Sequence, residues 1–211
     1  MIFELTENSS WFPDTALADE DGLLAFGGDL STERLLNAYH QGIFPWYSEE
    51  TPILWYSPHQ RFVLYPKDLR VTKSMKQIMH SGKFEIKKNT AFEAVIRNCA
   101  AAEREGQDGT WITEEMLGAY IKLNREGYAH SIEAWYDNIL VGGLYGVETG
   151  RIFCGESMFS NKSNASKSAL ISLVQNSNYD LIDCQVHTPH LESLGAKLIS
   201  REVYEQYLVS R

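Results

Sequence analysis

Several features that define other classes of protein are missing from this chain. No run approaches the ~20 consecutive apolar residues needed to cross a bilayer, and the opening MIFELTENSS has no basic stretch ahead of an apolar one, as an export signal would. Neither secretion nor membrane insertion is expected. Cysteine is scarce: Cys99, Cys154 and Cys184 lie far apart, are odd in number and form no CxxC. That excludes a disulfide framework and points to a reducing compartment, the cytoplasm. There is no GxxxxGK[ST], and neither Gly27-Gly28-Asp29 nor the run from Gly142 to Gly146 sits as GxGxxG between a strand and a helix. Tight turns or close strand packing account for these glycines, and hydrolysis of ATP or GTP is disfavoured. Internal repeats and low-complexity tracts are absent too. Positive charge is in short supply, with 19 Lys and Arg against 28 Asp and Glu for a net charge of -9. As an average, this counts against a nucleic-acid partner.

The distribution of that charge is uneven. Lys67, Arg70, Lys73, Lys76, Lys83, Lys87 and Lys88 fall in one stretch with only Asp68 and Glu85, so residues 67–88 carry +5 and the rest of the chain -14. A basic island on an acidic protein can hold a polyanion in one place, or it can be a solvated helix face. The remaining composition, 44% hydrophobic and 22% charged over 211 residues, is that of a soluble folded protein with a sizeable core.

Residues 1–62 are rich in turn signals and aromatics and read as a small, loop-rich amino-terminal domain. One helix interrupts it, capped by Ser31, striped by Leu35, Leu36 and Tyr39, and closed by Gly42. Residues 63–211 are more regular. Helices are predicted near 72–81, 91–105 and 113–126, with Thr72, a Thr90–Glu93 capping box and Thr113 at their starts. The period then changes to two: His130–Tyr136, Ile139–Val147 and Arg151–Met158 read as an antiparallel meander with turns at Asp137-Asn138 and Thr149-Gly150. A helix near 165–177 capped by Asn164, a strand Leu181–Val186, a short helix, a short strand and a terminal helix from Ser200 follow. This order describes an α+β fold with helices packed on a mainly antiparallel sheet.

Polar residues inside apolar strands are the candidates for chemistry, because they must be hydrogen-bonded in a buried network or line a cavity. In DLIDCQV, alternation places Asp183 and Gln185 on one face; in RIFCGESM it aligns Cys154, Glu156 and Met158, with Gly155 allowing a close approach. Cys184, His187 and His190 have the spacing C-x2-H-x2-H but lack a fourth ligand for a structural zinc site, and a Cys184–His190 catalytic pair has no supporting motif. A buried thiol and two ordinary histidines fit better.

Taken together, GGDL followed by GIFPW, then ILWYSP, GTWIT, VGGLYGV, GESMFS, ASK, LIDCQ and PHLESLGA run in order from about residue 11 to the carboxyl end. This set resembles the leucyl/phenylalanyl-tRNA protein transferase family. The resemblance implies a bacterial cytoplasmic enzyme of the N-degron pathway. It would transfer leucine or phenylalanine, with methionine an open third, from aminoacyl-tRNA to proteins bearing amino-terminal Arg or Lys. It implies a catalytic domain similar to GCN5-related acetyltransferases, although their R/QxxGxG/A coenzyme A loop is absent here. By the same resemblance, Gln185 hydrogen-bonds the attacking amine and Asp183 polarises and orients Gln185. Glu156 lies beside them, its charge and that of Asp183 suiting a cationic acceptor. Trp46 and Trp111 would hold the terminal adenosine, and Leu144, Met158, Leu170, Leu173 and Ile182 the aminoacyl side chain, with Leu170, Leu173 and Ser177 on one helix face. Lys73, Lys76 and Lys83 would contact tRNA. Aminolysis of an ester needs no cofactor or metal, and a monomer is expected. A coenzyme A dependent N-acyltransferase and a non-enzymatic RNA-binding or degradation adaptor are the alternatives.

Overall fold

The computed structural model describes residues 2–102 and 111–209. A four-stranded sheet comes first, built from β1 (Phe3–Leu5), β2 (Leu23–Gly27), β3 (Phe44–Pro45) and β4 (Leu54–Tyr56) in the order β1-β2-β4-β3. Helix α1 (Thr32–His40) lies between β2 and β3 in the chain. Ser31 caps it by accepting from the Arg34 amide, and Gly42 turns the chain at φ 73°, both as the sequence predicts. Leu35, Ala38 and Tyr39 form its buried stripe.

The second sheet has seven strands: β5 (Gln60–Leu64), β6 (Glu85–Lys88), β7 (Ala129–Tyr136), β8 (Ile139–Thr149), β9 (Ile152–Ser160), β10 (Leu181–Asp183) and β11 (Lys197–Ser200). Their order is β11-β5-β10-β9-β8-β7-β6, and every neighbouring pair except β9 with β10 is antiparallel. The exception follows from the connection. Helix α5 (Ala165–Asn176) carries the chain from the end of β9 back to the start of β10, the crossover that a parallel pair requires. Pairing between the two stops at Asp183 opposite Cys154, while β9 runs on to Ser160. The sheet therefore opens into a fork. The predicted meander is β7-β8-β9, turning through Asp137 and Asn138 at φ 51° and 60°.

Helices α2 (Lys73–His80), α3 (Phe92–Ala101) and α4 (Glu114–Arg125) precede the meander. Thr72 and Thr113 cap α2 and α4 by accepting from the Met75 and Met116 amides, as predicted. Helix α3 departs from expectation. It ends at Ala101, and residues 103–105, which the sequence also assigns to it, lie outside the described residues. Its Thr90–Glu93 capping box does not form. Glu133 of β7 takes the Thr90 and Ala91 amides at 2.8 and 2.9 Å and the Thr90 hydroxyl, while Glu93 accepts from Arg97. Glu133 is fully buried, so its oxygens have no water to turn to and hold these donors. At α5, Asn164 occupies the cap position in a left-handed conformation, φ 72°, without a side-chain cap, and Ser177 falls just past the helix. Helices α6 (Pro189–Ser193) and α7 (Arg201–Val209) complete the described chain. Among the described residues no helix is long and apolar enough to cross a membrane.

Both faces of the large sheet are buried. One cluster, including Tyr39, Trp55, Val95, Tyr120 and Tyr145, joins it to the first sheet; the other, including Phe62, Leu144, Leu170 and Ile182, lies on the α5 side. Leu144 and Tyr145 are consecutive and enter opposite clusters, as strand alternation requires. Gly146 explains the glycine run: a Cβ there would stand 2.2 Å from the Cys154 carbonyl oxygen, so the strands approach too closely for any side chain.

Candidate active site

Beyond the fork, the alternation of β9 breaks. Gly146 pairs with Gly155 and Tyr145 with Ser157, leaving Glu156 as an extra residue in a β-bulge. The bulge corrects the predicted alignment of Cys154, Glu156 and Met158. Cys154 lies in the cluster shared with the first sheet, near the Tyr204 hydroxyl, whereas Met158 packs against the opposite cluster. Glu156 accepts from Tyr39 at 2.7 Å, Tyr120 at 3.3 Å and Gln185 Nε2 at 2.8 Å, and the two tyrosine hydroxyl oxygens lie against each other, so that the Tyr120 proton is shared between Tyr39 and Glu156. Burial pushes its carboxyl up to about 7; the nearby Asp183 charge adds to the rise, and the hydrogen bonds from Tyr39, Tyr120 and Gln185 oppose it.

The other arm of the fork ends sooner than its sequence predicts. Strand β10 stops at Asp183 instead of continuing to Val186, because Gln185 adopts φ 58° and donates its amide N–H to Asp183 Oδ1 at 2.9 Å. This is a side-chain-to-backbone turn of the kind Asp favours. Asp183 and Gln185 thus do not share a strand face. Asp183 orients the Gln185 backbone, and Glu156 orients its side chain. When Glu156 is ionised its carboxylate only accepts hydrogen bonds, so the carboxamide then presents its NH2 to Glu156 and leaves Gln185 Oε1 available as an acceptor.

Arg61 of β5 was not visible as a site residue in the sequence. Its guanidinium pairs with Asp183 Oδ2, donates to the Gly42 carbonyl at 3.0 Å, and lies 4.8 and 4.6 Å from the ring centroids of Phe44 and Tyr204. Both partners of the ion pair are buried, with 2% and 0% exposure. Asp183's charge is therefore balanced inside the protein, unlike the expectation that it acts together with Glu156 on a cationic acceptor. Tyr39 and Tyr120 were missed as well. An arginine beside Phe62-Val63-Leu64 in a strand was the one local sign.

The fork opens into a cavity of about 600 Å³. Leu144, Met158, Leu170, Leu173 and Ile182 give it apolar lining, Glu156, Asp183 and Gln185 polar lining, and Trp46 and Trp111 also line it. All ten residues assigned to catalysis and donor binding thus meet in one place. Ser177 is not among the lining residues. Trp46 is 42% exposed and touches Tyr56 edge-on at 5.7 Å, so packing leaves much of its ring uncovered. Lys73, Lys76 and Lys83 do not line the cavity; they are exposed on α2 and the turn after it. Cys184 and His190 line the cavity, while His187 contacts Glu192 at 3.0 Å. Among the described residues no group of three His, Cys, Asp or Glu could hold a metal ion.

Fold and cavity together define an α+β protein whose cavity is lined by apolar residues and by a buried carboxyl bonded to a half-buried amide. The description "Leucyl/phenylalanyl-tRNA protein transferase" matches residues 63–209, and that of the family's N-terminal domain matches residues 28–59. A leucyl/phenylalanyl-tRNA–protein transferase of Syntrophobacter fumaroxidans is 54% identical over 95% of this chain and 86% of its own length. One from Pseudomonas fluorescens is 51% identical over 99% of this chain and 94% of its own. A GCN5-related N-acetyltransferase from Kribbella flavida is similar in structure at 10% identity and TM-score 0.42, covering 75% of this chain and 57% of the other. The chain belongs to the leucyl/phenylalanyl-tRNA protein transferase family. It is an aminoacyltransferase, with aminoacyl-tRNA and an acceptor protein as its substrates.

Proposed function

We propose that the cavity transfers leucine or phenylalanine from aminoacyl-tRNA to the α-amine of an amino-terminal Arg or Lys, in the cytoplasm, and so marks the acceptor for degradation. The observation that carries this reading is the Gln185 carboxamide, held by Glu156 in the wall of a cavity otherwise lined largely by apolar side chains, with its oxygen left to accept when Glu156 is ionised. In this scheme the donor's side chain enters among Leu144, Met158, Leu170, Leu173 and Ile182, and its terminal adenosine stacks at Trp46 and Trp111. Lys73, Lys76 and Lys83 hold the tRNA body.

The reaction forms a C–N bond and breaks the ester C–O bond. The acceptor amine attacks the aminoacyl carbonyl, donating an N–H to Gln185 Oε1 as it does so, and the ribose oxygen leaves as a hydroxyl with the amine's proton. An α-amine titrates at about 7.7–8.0, so a useful fraction is neutral near pH 7 and no strong base is required. The larger contribution is alignment of two bound reactants. Glu156, when ionised, meets the cationic acceptor; Asp183, balanced by Arg61, keeps Gln185 in its turn.

Charged leucyl-tRNA incubated with an Arg-starting peptide should add one leucine by mass, with no gain for Asp-starting, Gly-starting or acetyl-Arg peptides. Equal modification of the Asp-starting peptide would overturn the acceptor assignment.

A further inference from the structure

One strip of surface joins the basic face of α2 to the cavity. Lys83 Nζ lies 5.4 Å from the Phe84 ring centroid, Phe84 meets Tyr136 edge-on at 6.3 Å, and Lys162 Nζ stands 3.9 Å from the Tyr136 centroid. Beneath them Ile78 of α2 and Ala165, the first residue of α5, pack with Phe84 and Ala134 in one hydrophobic cluster. The Lys162 carbonyl accepts the Ala165 amide at the turn that opens α5. Lys167 follows in the first turn of that helix, three residues before Leu170 and so on the same side of the helix as that cavity-lining residue, though it does not itself line the cavity. His190 lines the cavity, with its Nε2 buried and without a hydrogen-bond partner. Burial, and after it the charge of Lys167, lowers the imidazole from its ordinary titration range.

Lys73, Lys76, Lys83, Lys162 and Lys167 pair with no carboxylate among the described residues, as is also true of Lys67, Arg70, Lys88 and Arg125, whereas Lys87, Arg97, Arg151 and Lys197 do. On a chain of net charge -9, a row of unbalanced cations ending at a cavity is complementary to a single polyanionic strand.

We propose that Lys162 and Lys167 form a phosphate track, along which the unpaired 3′ strand of the donor RNA passes from α2 to the cavity and sets its last nucleotide beside His190. The proposal rests on the reading of the cavity as the donor site. Each lysine meets a backbone phosphate, and the His190 ring, which lines the cavity, bounds the place of the last nucleotide. Sequence plays no part in this contact, because phosphates position a strand without reading its bases.

The test uses a Lys162→Ala/Lys167→Ala double variant and three leucyl donors: leucyl-adenosine without phosphates, a short leucylated RNA ending in the same nucleotides as tRNA, and the full tRNA. Affinity for the uncharged short RNA is measured in parallel by fluorescence anisotropy. Its binding should weaken by about tenfold, and the salt slope should become shallower by about 1.4, at ~0.7 per phosphate contact on a single strand. KM should rise for both RNA donors by at least about fivefold more than for leucyl-adenosine. Lys→Arg at both positions should restore binding. Equal KM changes for all three donors, or unchanged affinity and salt slope for the short RNA, would overturn the track. Failure of the wild type to transfer from any donor would overturn the reading of the cavity instead, and the anisotropy would still decide the track.

Discussion

Asp183 and Glu156 stand on the two arms of one fork, both buried, and they meet burial in different ways. Asp183 faces a full cation, with Arg61 held in turn between two aromatic rings and by a backbone carbonyl. Glu156 faces only neutral donors, two tyrosine hydroxyls and an amide. A charge balanced by a guanidinium belongs to the scaffold, and its partner must never leave. A carboxyl held by neutral donors lies near the balance point of its two forms, so it can respond to a cation that arrives. The same carboxyl group thus faces a full cation on one arm of the fork and only neutral donors on the other.

Arg61 is where this contrast breaks most visibly. Arg61→Met strands Asp183 as a lone buried charge and should lower the unfolding free energy by about 3–5 kcal/mol. Adding Asp183→Asn should recover part of that loss. Urea unfolding of the three chains measures both, and a single variant within about 1 kcal/mol of wild type would place the pair with ordinary surface ion pairs.

Glu156 comes next, through pH. Its folded value of about 7 lies above the ordinary 4.5, so the stabilisation is complete below pH 4.5 and is lost as pH rises through 7. At 1.36 kcal/mol per unit this amounts to up to about 3 kcal/mol. Glu156→Gln should flatten that part of the profile, seen as a smaller difference between urea midpoints at about pH 5 and pH 8. An unchanged profile would mean the carboxyl is ionised throughout.

For chemistry, Gln185→Ala should lower kcat about a hundredfold, about 2.7 kcal/mol, while donor KM and the urea midpoint change little. A wild-type kcat in the folded variant would assign the amide to packing. Tyr39→Phe should have the smallest effect. It removes one of Glu156's donors but leaves Tyr120, costing about 1 kcal/mol. The Glu156 titration should move upward, because a hydrogen bond to the charged form is lost, and NMR of a side-chain-labelled glutamate would report the sign.

Much of this architecture was legible in local patterns. Ser31, Thr72 and Thr113 sit where a cap must sit, and the period-two meander with Asp137-Asn138 at its turn leaves little choice of fold. Where the pattern misled, a distant residue had decided the matter. Thr90 and Glu93 have the spacing of a capping box, but Glu133, 43 residues from Thr90, takes the amide. Alternation carried β10 to Val186, yet Asp183 turns the backbone back on itself at Gln185. No periodicity announces a bulge at Glu156, since the extra residue shows only against the partner strand. Arg61 and Tyr39 lie 122 and 117 residues from the carboxylates they hold, so only the folded chain brings them together. The motif residues around the cavity were easier to find than the residues that support them.

Tyr39 and Gly42 belong to the stretch before β5, yet one holds Glu156 and the other holds Arg61. The two sheets are therefore bound together as a unit of inheritance. A chimaera joining the first sheet of one family member to the second sheet of another would have to match a hydroxyl to a carboxylate and a carbonyl to a guanidinium in the same step. Drift on either side of that seam is answerable to the other, and recombination there would more readily dismantle the enzyme than diversify it.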